Sequence, residues 1–229
     1  MKVFDHVGLT PIITKAETIN GQRFYPTPEG NKYPSVTTVI SNNKKKREAI
    51  AKWRERVGAD EANRKTNSSA TRGTRYHKII EDYLNNELNL DNYQDHPVPL
   101  WMFHSSKKVL DRINKIYLQE AALYSDVLKI AGRVDCIAEF DGELAIIDFK
   151  SSEKEKKEEY LYDYFVQEQA YALMLFERYD IRAKKLVTIV GCESGETQVS
   201  VRAPNVKYIL SLQQYIKEYQ ERYEGIIGG

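Results

Sequence analysis

Two aspartates and a lysine, Asp135, Asp148 and Lys150, lie in the otherwise apolar run GRVDCIAEFDGELAIIDFK, residues 132–150. An unpaired charge in apolar surroundings is costly, so each of them calls for a partner. Val134, Cys136, Ile137, Ala138 and Phe140 lead into Asp141-Gly142, and Leu144, Ala145, Ile146, Ile147 and Phe149 lead out. These are two β-prone runs around a dipeptide that two-residue hairpins favour. With Asp141 and Gly142 as the turn, Phe140 faces Glu143, and stepping outward sets Asp135 opposite Asp148. A period of two then puts Lys150 on the same face, beyond the pair. Like charges directly opposite destabilise a sheet, so something positive belongs between the two acids. A hard divalent cation meets that need, since magnesium is typically held by one or two carboxylates and keeps positions open for a phosphate. The alternative is a surface hairpin in which Asp135 pairs with Arg133 or Lys150.

Two other pairs have helical spacing. His77 and Glu81 are four apart in RGTRYHKIIEDYL and share a helix face, from which His77 could add a nitrogen ligand to the same cation or serve structurally. Gln167 and Tyr171 are four apart in FVQEQAYALM, on the helix expected after the hairpin. Both could reach a phosphate or base at the end of the sheet, and a core role is the alternative for the tyrosine.

The elements that must position these residues follow from periodicity and turn signals. Residues 20–42 suggest an N-terminal hairpin leading into a helix. An amphipathic helix is expected over 46–64, with Ile50, Trp53 and Val57 on its apolar face. Ser68-Ser69-Ala70-Thr71 offers capping hydroxyls for a second helix carrying Tyr76, Ile79, Ile80, Tyr83 and Leu84. After a turn at 85–97, a third helix is expected over 99–118. Strands then follow at 120–130, 131–140 and 143–150, a charged loop at 151–159, a helix at 160–178, strands at 185–192 and 197–201, and a closing helix at 205–223. The order helix, three strands, helix, strand predicts an α/β (α+β) fold whose crossover helix returns the fourth strand to a central mixed sheet.

The 229 residues suit one domain, with 1–118 as an N-terminal hairpin and helical part, 119–203 as the sheet core and 204–229 as the closing helix. The N-terminus lacks an apolar signal core and no run is long enough to span a bilayer, so no membrane partner is expected. The default compartment is the cytoplasm, that of a host if the chain is phage-encoded, with the mitochondrial matrix as the alternative. Cys136 and Cys192 are too few for a four-cysteine zinc or iron–sulfur site. Net charge is only +1, but residues 44–80 hold 12 Lys/Arg against 4 Asp/Glu, a local +8 that leaves −7 for the rest. Such a segment reads either as a phosphate-facing track or as a solvated helix face. Lys44, Lys45, Lys46, Arg47, Lys52, Arg72 and Arg75 are the candidate cations, with Trp53 and Tyr76 as stacking surfaces suited to exposed bases of single strands.

The run GRVDCIAEFDGELAIIDFKSS, preceded by GTRYHKIIEDYL and followed by QEQAY, resembles the PD-(D/E)XK nuclease superfamily, in particular its RecB-like exonuclease branch. In that pattern a helical G-x-x-x-H precedes an aspartate on one strand, D-x-K on the next and a Q-x-x-x-Y helix. Here these are Gly73 and His77, Asp135, Asp148 and Lys150, and Gln167 and Tyr171. YPSVTTVIS, residues 33–41, is similar to the opening block of the mitochondrial genome maintenance exonuclease group and its phage relatives. The resemblance thus spans about residues 33–175. It implies an αβββαβ restriction-endonuclease-like core and a Mg2+- or Mn2+-dependent deoxyribonuclease. His77, Asp135, Asp148 and the Phe149 carbonyl would hold the metal, with Glu120 as an extra acid. Lys150 would position or deprotonate the attacking water or stabilise the phosphorane, and Gln167 and Tyr171 would orient the scissile strand or Lys150. Iron–sulfur relatives carry cysteines that are missing here, so no cluster is expected. The implied activity is exonucleolytic hydrolysis of single-stranded DNA ends or flaps, beside replication or recombination proteins. A duplex-end or structure-specific nuclease and a catalytically silent nucleic-acid-binding subunit are the competing readings.

Overall fold

The computed structural model describes residues 2–12 and 14–227. A small antiparallel meander of β1 (Glu17–Ile19), β2 (Gln22–Pro26) and β3 (Lys32–Pro34) opens the chain. It feeds α1 (Val36–Ser41), whose first turn is capped by Ser35 Oγ accepting the Thr38 amide at 3.1 Å. Next come α2 (Lys44–Val57), α3 (Ala59–Leu84) and α4 (Pro97–Leu110). The main sheet contains β4 (Ile113–Ser125), β5 (Ile130–Phe140), β6 (Glu143–Ser152), β7 (Lys185–Cys192) and β8 (Thr197–Arg202), in that spatial order. Helix α5 (Glu158–Tyr179) crosses from β6 to β7, which pair in parallel, while every other neighbour pair is antiparallel. Helix α6 (Val206–Ile227) closes the chain. The sheet is therefore mixed and flanked by helices, as the α/β expectation requires.

Apolar residues of the sheet alternate between two cores, as a period of two dictates. Ile137, Ile146, Leu186 and Val190 pack with Phe165, Val166, Ala170 and Met174 of α5 and with α1 and α6. Cys136, Ala138, Ala145 and Ile147 pack with Tyr76, Ile79, Ile80 and Tyr83 of α3 and with α4. Each fully buried valine, leucine, isoleucine, phenylalanine or methionine among them contributes about 1.5–3 kcal/mol. Among the described residues no helix is long and apolar enough to cross a membrane.

Three element expectations need correction. The break between the first two long helices falls at Gly58, with φ of 85°, and Ser68–Thr71 lie inside the 26-residue α3 rather than at its start. Only a residue tolerant of that backbone ends one helix and starts the next there, whereas serines and threonines remain compatible with a helix interior. The expected helix through residue 118 stops at Leu110, and the β-branched stretch from Ile113 joins the sheet core six residues before position 119. Finally, α2 buries none of its residues, and Ile50 is exposed, so its apolar spacing does not face the core. Residues 63–71 of α3 are also exposed, making α2 and the first half of α3 a helical arm.

Candidate active site

The site arises where the sheet splits. Strands β5 and β6 pair from Phe140↔Glu143 to Cys136↔Ile147, while β5 continues along β4 to Ile130 and β6 continues along β7 to Ser152. Asp135 and Asp148 stand one step beyond the last rung, so the expected register holds up to the point where the strands part. There the Phe149 amide donates to Asp135 Oδ2 at 2.8 Å instead of to a strand carbonyl. In a strand, N–H and C=O of one residue leave on the same side, so the Phe149 carbonyl is also directed toward β5.

Asp148 is 2% exposed and lies against α5. Its Oδ1 accepts from Lys150 Nζ at 2.6 Å and from Gln167 Nε2 at 2.9 Å. Lys150 Nζ also lies 2.5 Å from Oδ2, which receives no directed hydrogen bond. Burial pushes the Asp148 carboxyl up to about 6 against the pull of Lys150, and Asp135 adds to the rise. Burial alone would lower the Lys150 ammonium, but the charges of Asp148 and Asp135 outweigh it and hold the ammonium above its ordinary range.

On the other side of the split, His77 from α3 places Nδ1 3.7 Å from Asp135 Oδ2. Helix α3 reaches the sheet end closely because residue 73 is glycine, where a Cβ would sit 3.3 Å from Ser151 Oγ. Glu120 on β4 completes a group with His77 and Asp135 whose ligand atoms all lie within 4.8 Å of one another. The Glu120 backbone has φ of 47°, a strained conformation for a non-glycine residue. Burial, with Asp135 adding to it, pushes the Glu120 carboxyl up to about 8, although Arg133 ion-pairs with it at 2.9 Å. Arg133 thus pairs with Glu120 rather than with Asp135.

These residues fit a divalent cation. Carboxylates and one imidazole are a suitable oxygen-rich donor set, three acids converge, and Asp148 Oδ2 is buried without a directed partner. His77, Glu120 and Asp135 would hold the ion, with Asp148 and the Phe149 carbonyl beside them.

A cleft of ≈ 530 Å³ opens over this floor, lined by His77, Glu120, Asp135, Lys150 and Gln167 and rimmed by Arg23, Arg75, Lys78 and Arg133. Tyr171 is not in its lining. Its hydroxyl donates to the Arg133 carbonyl at 2.9 Å, and its ring packs where a Cβ on Gly132 would approach to 2.6 Å, so Tyr171 braces β5 from below. One expected nucleic-acid contact is also withdrawn. Tyr76 is fully buried and hydrogen-bonded to Ser106 Oγ at 2.7 Å, and it cannot stack on a base. The Arg72 guanidinium is tied to Glu193 and Ser151. Lys44, Lys45, Lys46, Arg47, Lys52 and the half-buried Trp53 all lie on α2 in the arm.

Sequence reasoning missed Arg23 on the rim and Glu168 beneath the floor, while Lys78 belongs to the basic segment it singled out. Glu168 is fully buried, accepts the Thr188 hydroxyl and leaves Oε2 without a hydrogen bond. Burial, then the charge of Asp148, pushes its carboxyl well above the usual range. Its place beside Gln167 in QEQAY was a usable signal, because an acid between residues that face the sheet is unusual.

Similar proteins can now be set against this geometry. Residues 45–228 match the model of the PD-(D/E)XK nuclease superfamily. Mitochondrial genome maintenance exonuclease 1 of Mus musculus is 31% identical over 132 residues, 55% of this chain and 39% of that protein. The Xenopus tropicalis protein of that name is 28% identical over 210 residues, 82% of this chain and 59% of that protein. The chain thus spans well under two thirds of these relatives. A crystal structure of a candidate exonuclease from Eubacterium rectale superposes with a TM-score of 0.46 at 9% identity, over 66% of this chain and 65% of that one. The match over residues 45–228 covers most of the sequence, including every acid of the split and Lys150, and the chain belongs to the PD-(D/E)XK nuclease superfamily.

Proposed function

We propose that this chain is a divalent-metal-dependent DNA exonuclease that acts on single-stranded ends or flaps in replication, repair or recombination. The observation that carries this reading is the convergence of Asp135, Asp148 and Lys150 at the split in the sheet, under a cleft rimmed by Arg23, Arg75, Lys78 and Arg133. The exonuclease names of the relatives from Mus musculus and Xenopus tropicalis support it.

A bound Mg2+ or Mn2+ would supply Lewis-acid neutralisation of charge on the phosphate. The chain's own groups do the rest. Arg23, Arg75, Lys78 and Arg133 draw the phosphodiester backbone into the cleft. Lys150, held as an ammonium by its two aspartates, donates a hydrogen bond and positive charge to the oxygens of the five-coordinate phosphorus. Gln167 fixes the Asp148 carboxylate, and Tyr171 holds β5 at the height that brings Asp135 to the split.

The arm bears on the requirement for an end. One foot of it, Gly73–His77 in α3, lines the cleft, and the other, Asn43 and the first turns of α2 to Ala49, lines a groove whose Tyr164 ring lies beside Lys150. A strand passing Lys150 would run beneath the arm, which admits an unpaired end more readily than a duplex. End-labelled single-stranded DNA, incubated with Mg2+ or Mn2+, tests the reading. Degradation that EDTA and Asp148→Asn abolish is expected. Folded wild-type protein that binds the strand without metal-dependent cleavage would leave only a silent binding subunit.

A further inference from the structure

Beyond the cleft lies a second concavity of ≈ 730 Å³, which none of the cation-binding residues enters. Its walls are Lys45 and Lys46 at the foot of α2, Lys156 before α5, Tyr160 and Tyr164 on the first turns of α5, and Tyr215 of α6. The two concavities meet at one contact, the Lys150 ammonium standing 5.1 Å from the centre of the Tyr164 ring. We propose that this groove is a holding subsite for single-stranded DNA, which stacks unpaired bases on Tyr160 and Tyr164 and pairs phosphates with Lys45 and Lys156 while the neighbouring phosphodiester lies at Lys150. The inference rests on the nuclease reading above and extends it to a second part of the surface.

Several features favour this occupant. The tyrosines are not equivalent. Tyr215 is fixed by donating to Asp163 at 3.0 Å, and Tyr162 at the groove's edge by a 2.9 Å bond with Ser211. Tyr160 is 61% exposed, a large planar side chain facing solvent on a helix start. Base–aromatic stacking is tolerant of sequence and suits a strand that moves. The charge is arranged accordingly. Asp163 is ion-paired with Lys46 at 3.2 Å and hydrogen-bonded by the Tyr215 hydroxyl, leaving Lys45 and Lys156 against Glu159. Lys156 sits in a segment that the sequence marks as charged loop, yet its backbone is tied in both directions to Gln198, at 2.9 and 2.8 Å. That anchoring fixes the backbone from which the Lys156 side chain enters the groove. Burial and the charge of Arg72 press it toward deprotonation, and a phosphate beside it would offset both.

Tyr160→Ala tests the subsite without touching the residues at the split, and its exposure keeps the fold intact. On an unstructured oligodeoxythymidine the variant should raise KM about tenfold and leave kcat unchanged. Tyr160→Phe, which keeps the stacking face, should behave as wild type. In EDTA, where no cleavage interferes, Tyr160→Ala should weaken binding of the same oligomer about tenfold, by fluorescence anisotropy, yet bind a strand of abasic residues as wild type does. Active wild-type protein with an unchanged KM and unchanged affinity in the Tyr160→Ala variant overturns the subsite and leaves the nuclease reading standing. An equal loss of affinity on the abasic strand overturns base stacking. Wild-type protein that cleaves no DNA overturns the nuclease reading, and the subsite falls with it.

Discussion

Lys150 and the acids around it set the chemistry through burial. Lys150→Ala should lower the cleavage rate by about 10²–10³-fold, the range ascribed to removing one preorganised donor to a developing charge, while strand affinity in EDTA stays near wild type. A comparable loss of affinity would make Lys150 a binding residue. Glu120 gives a prediction for stability. Its carboxyl ordinarily titrates near 4.5 and is pushed up to about 8 in the folded chain, so between those values the folded state binds more protons than the unfolded one. Stability of the metal-free protein therefore falls as pH rises through that window, by an amount on the order of a few kcal/mol at most. Glu120→Gln should flatten the dependence of Tm on pH from 5 to 9 in EDTA, and an unchanged slope would count against the clustering of charge at the split. Added Mg2+ should restore Tm most at the alkaline end, because the ion binds the ionised acids.

At the scale of elements, the hairpin was legible because its turn leaves little choice. Asp141 and Gly142 adopt φ of 50° and 77°, as a two-residue turn of that type demands, and the register then places Asp135 and Asp148 without further information. His77, Gln167 and the crossover helix were legible from periodicity and from the resemblance. Arg23 and the full burial of Tyr76 were not, because they depend on where α3 and the N-terminal meander cross the sheet, which local pattern does not encode. The apolar spacing of Ile50, Trp53 and Val57 misled for a related reason, since a helix can carry such spacing and still stand in an arm. Hydrogen exchange should reflect that. Amides of α2 and of residues 63–71 should exchange far faster than those of β5, β6 and β7, and equal protection would mean that the arm is packed. Gly132 offers a test of the bracing by Tyr171. Gly132→Ala forces a Cβ to within 2.6 Å of the Tyr171 hydroxyl and should cost about 1–3 kcal/mol in denaturant unfolding. Tyr171→Phe, which keeps the ring and removes the bond to the Arg133 carbonyl, should lower activity with little change in fold.

For the whole molecule, a mixed sheet sandwiched between two helical layers holds two diverging strands, and one foot of the helical arm lines the cleft while the other lines the groove. The basic surplus of residues 44–80 lies on this arm and its foot, where the proposed function would have it meet a phosphate backbone. Salt should therefore weaken strand binding steeply, because each phosphate contact releases condensed counterions on binding and added salt opposes that release. The central claim is that a metal-dependent phosphodiester hydrolysis occurs at the split on a strand that enters by its end. The most direct measurement compares linear and covalently closed circular single-stranded DNA of the same sequence, with Mg2+ or Mn2+, beside EDTA and Lys150→Ala controls. The account predicts that the linear form alone is degraded and that both controls abolish its loss. Cleavage of the circle at a similar rate would contradict it, because the strand would then reach Lys150 without an end.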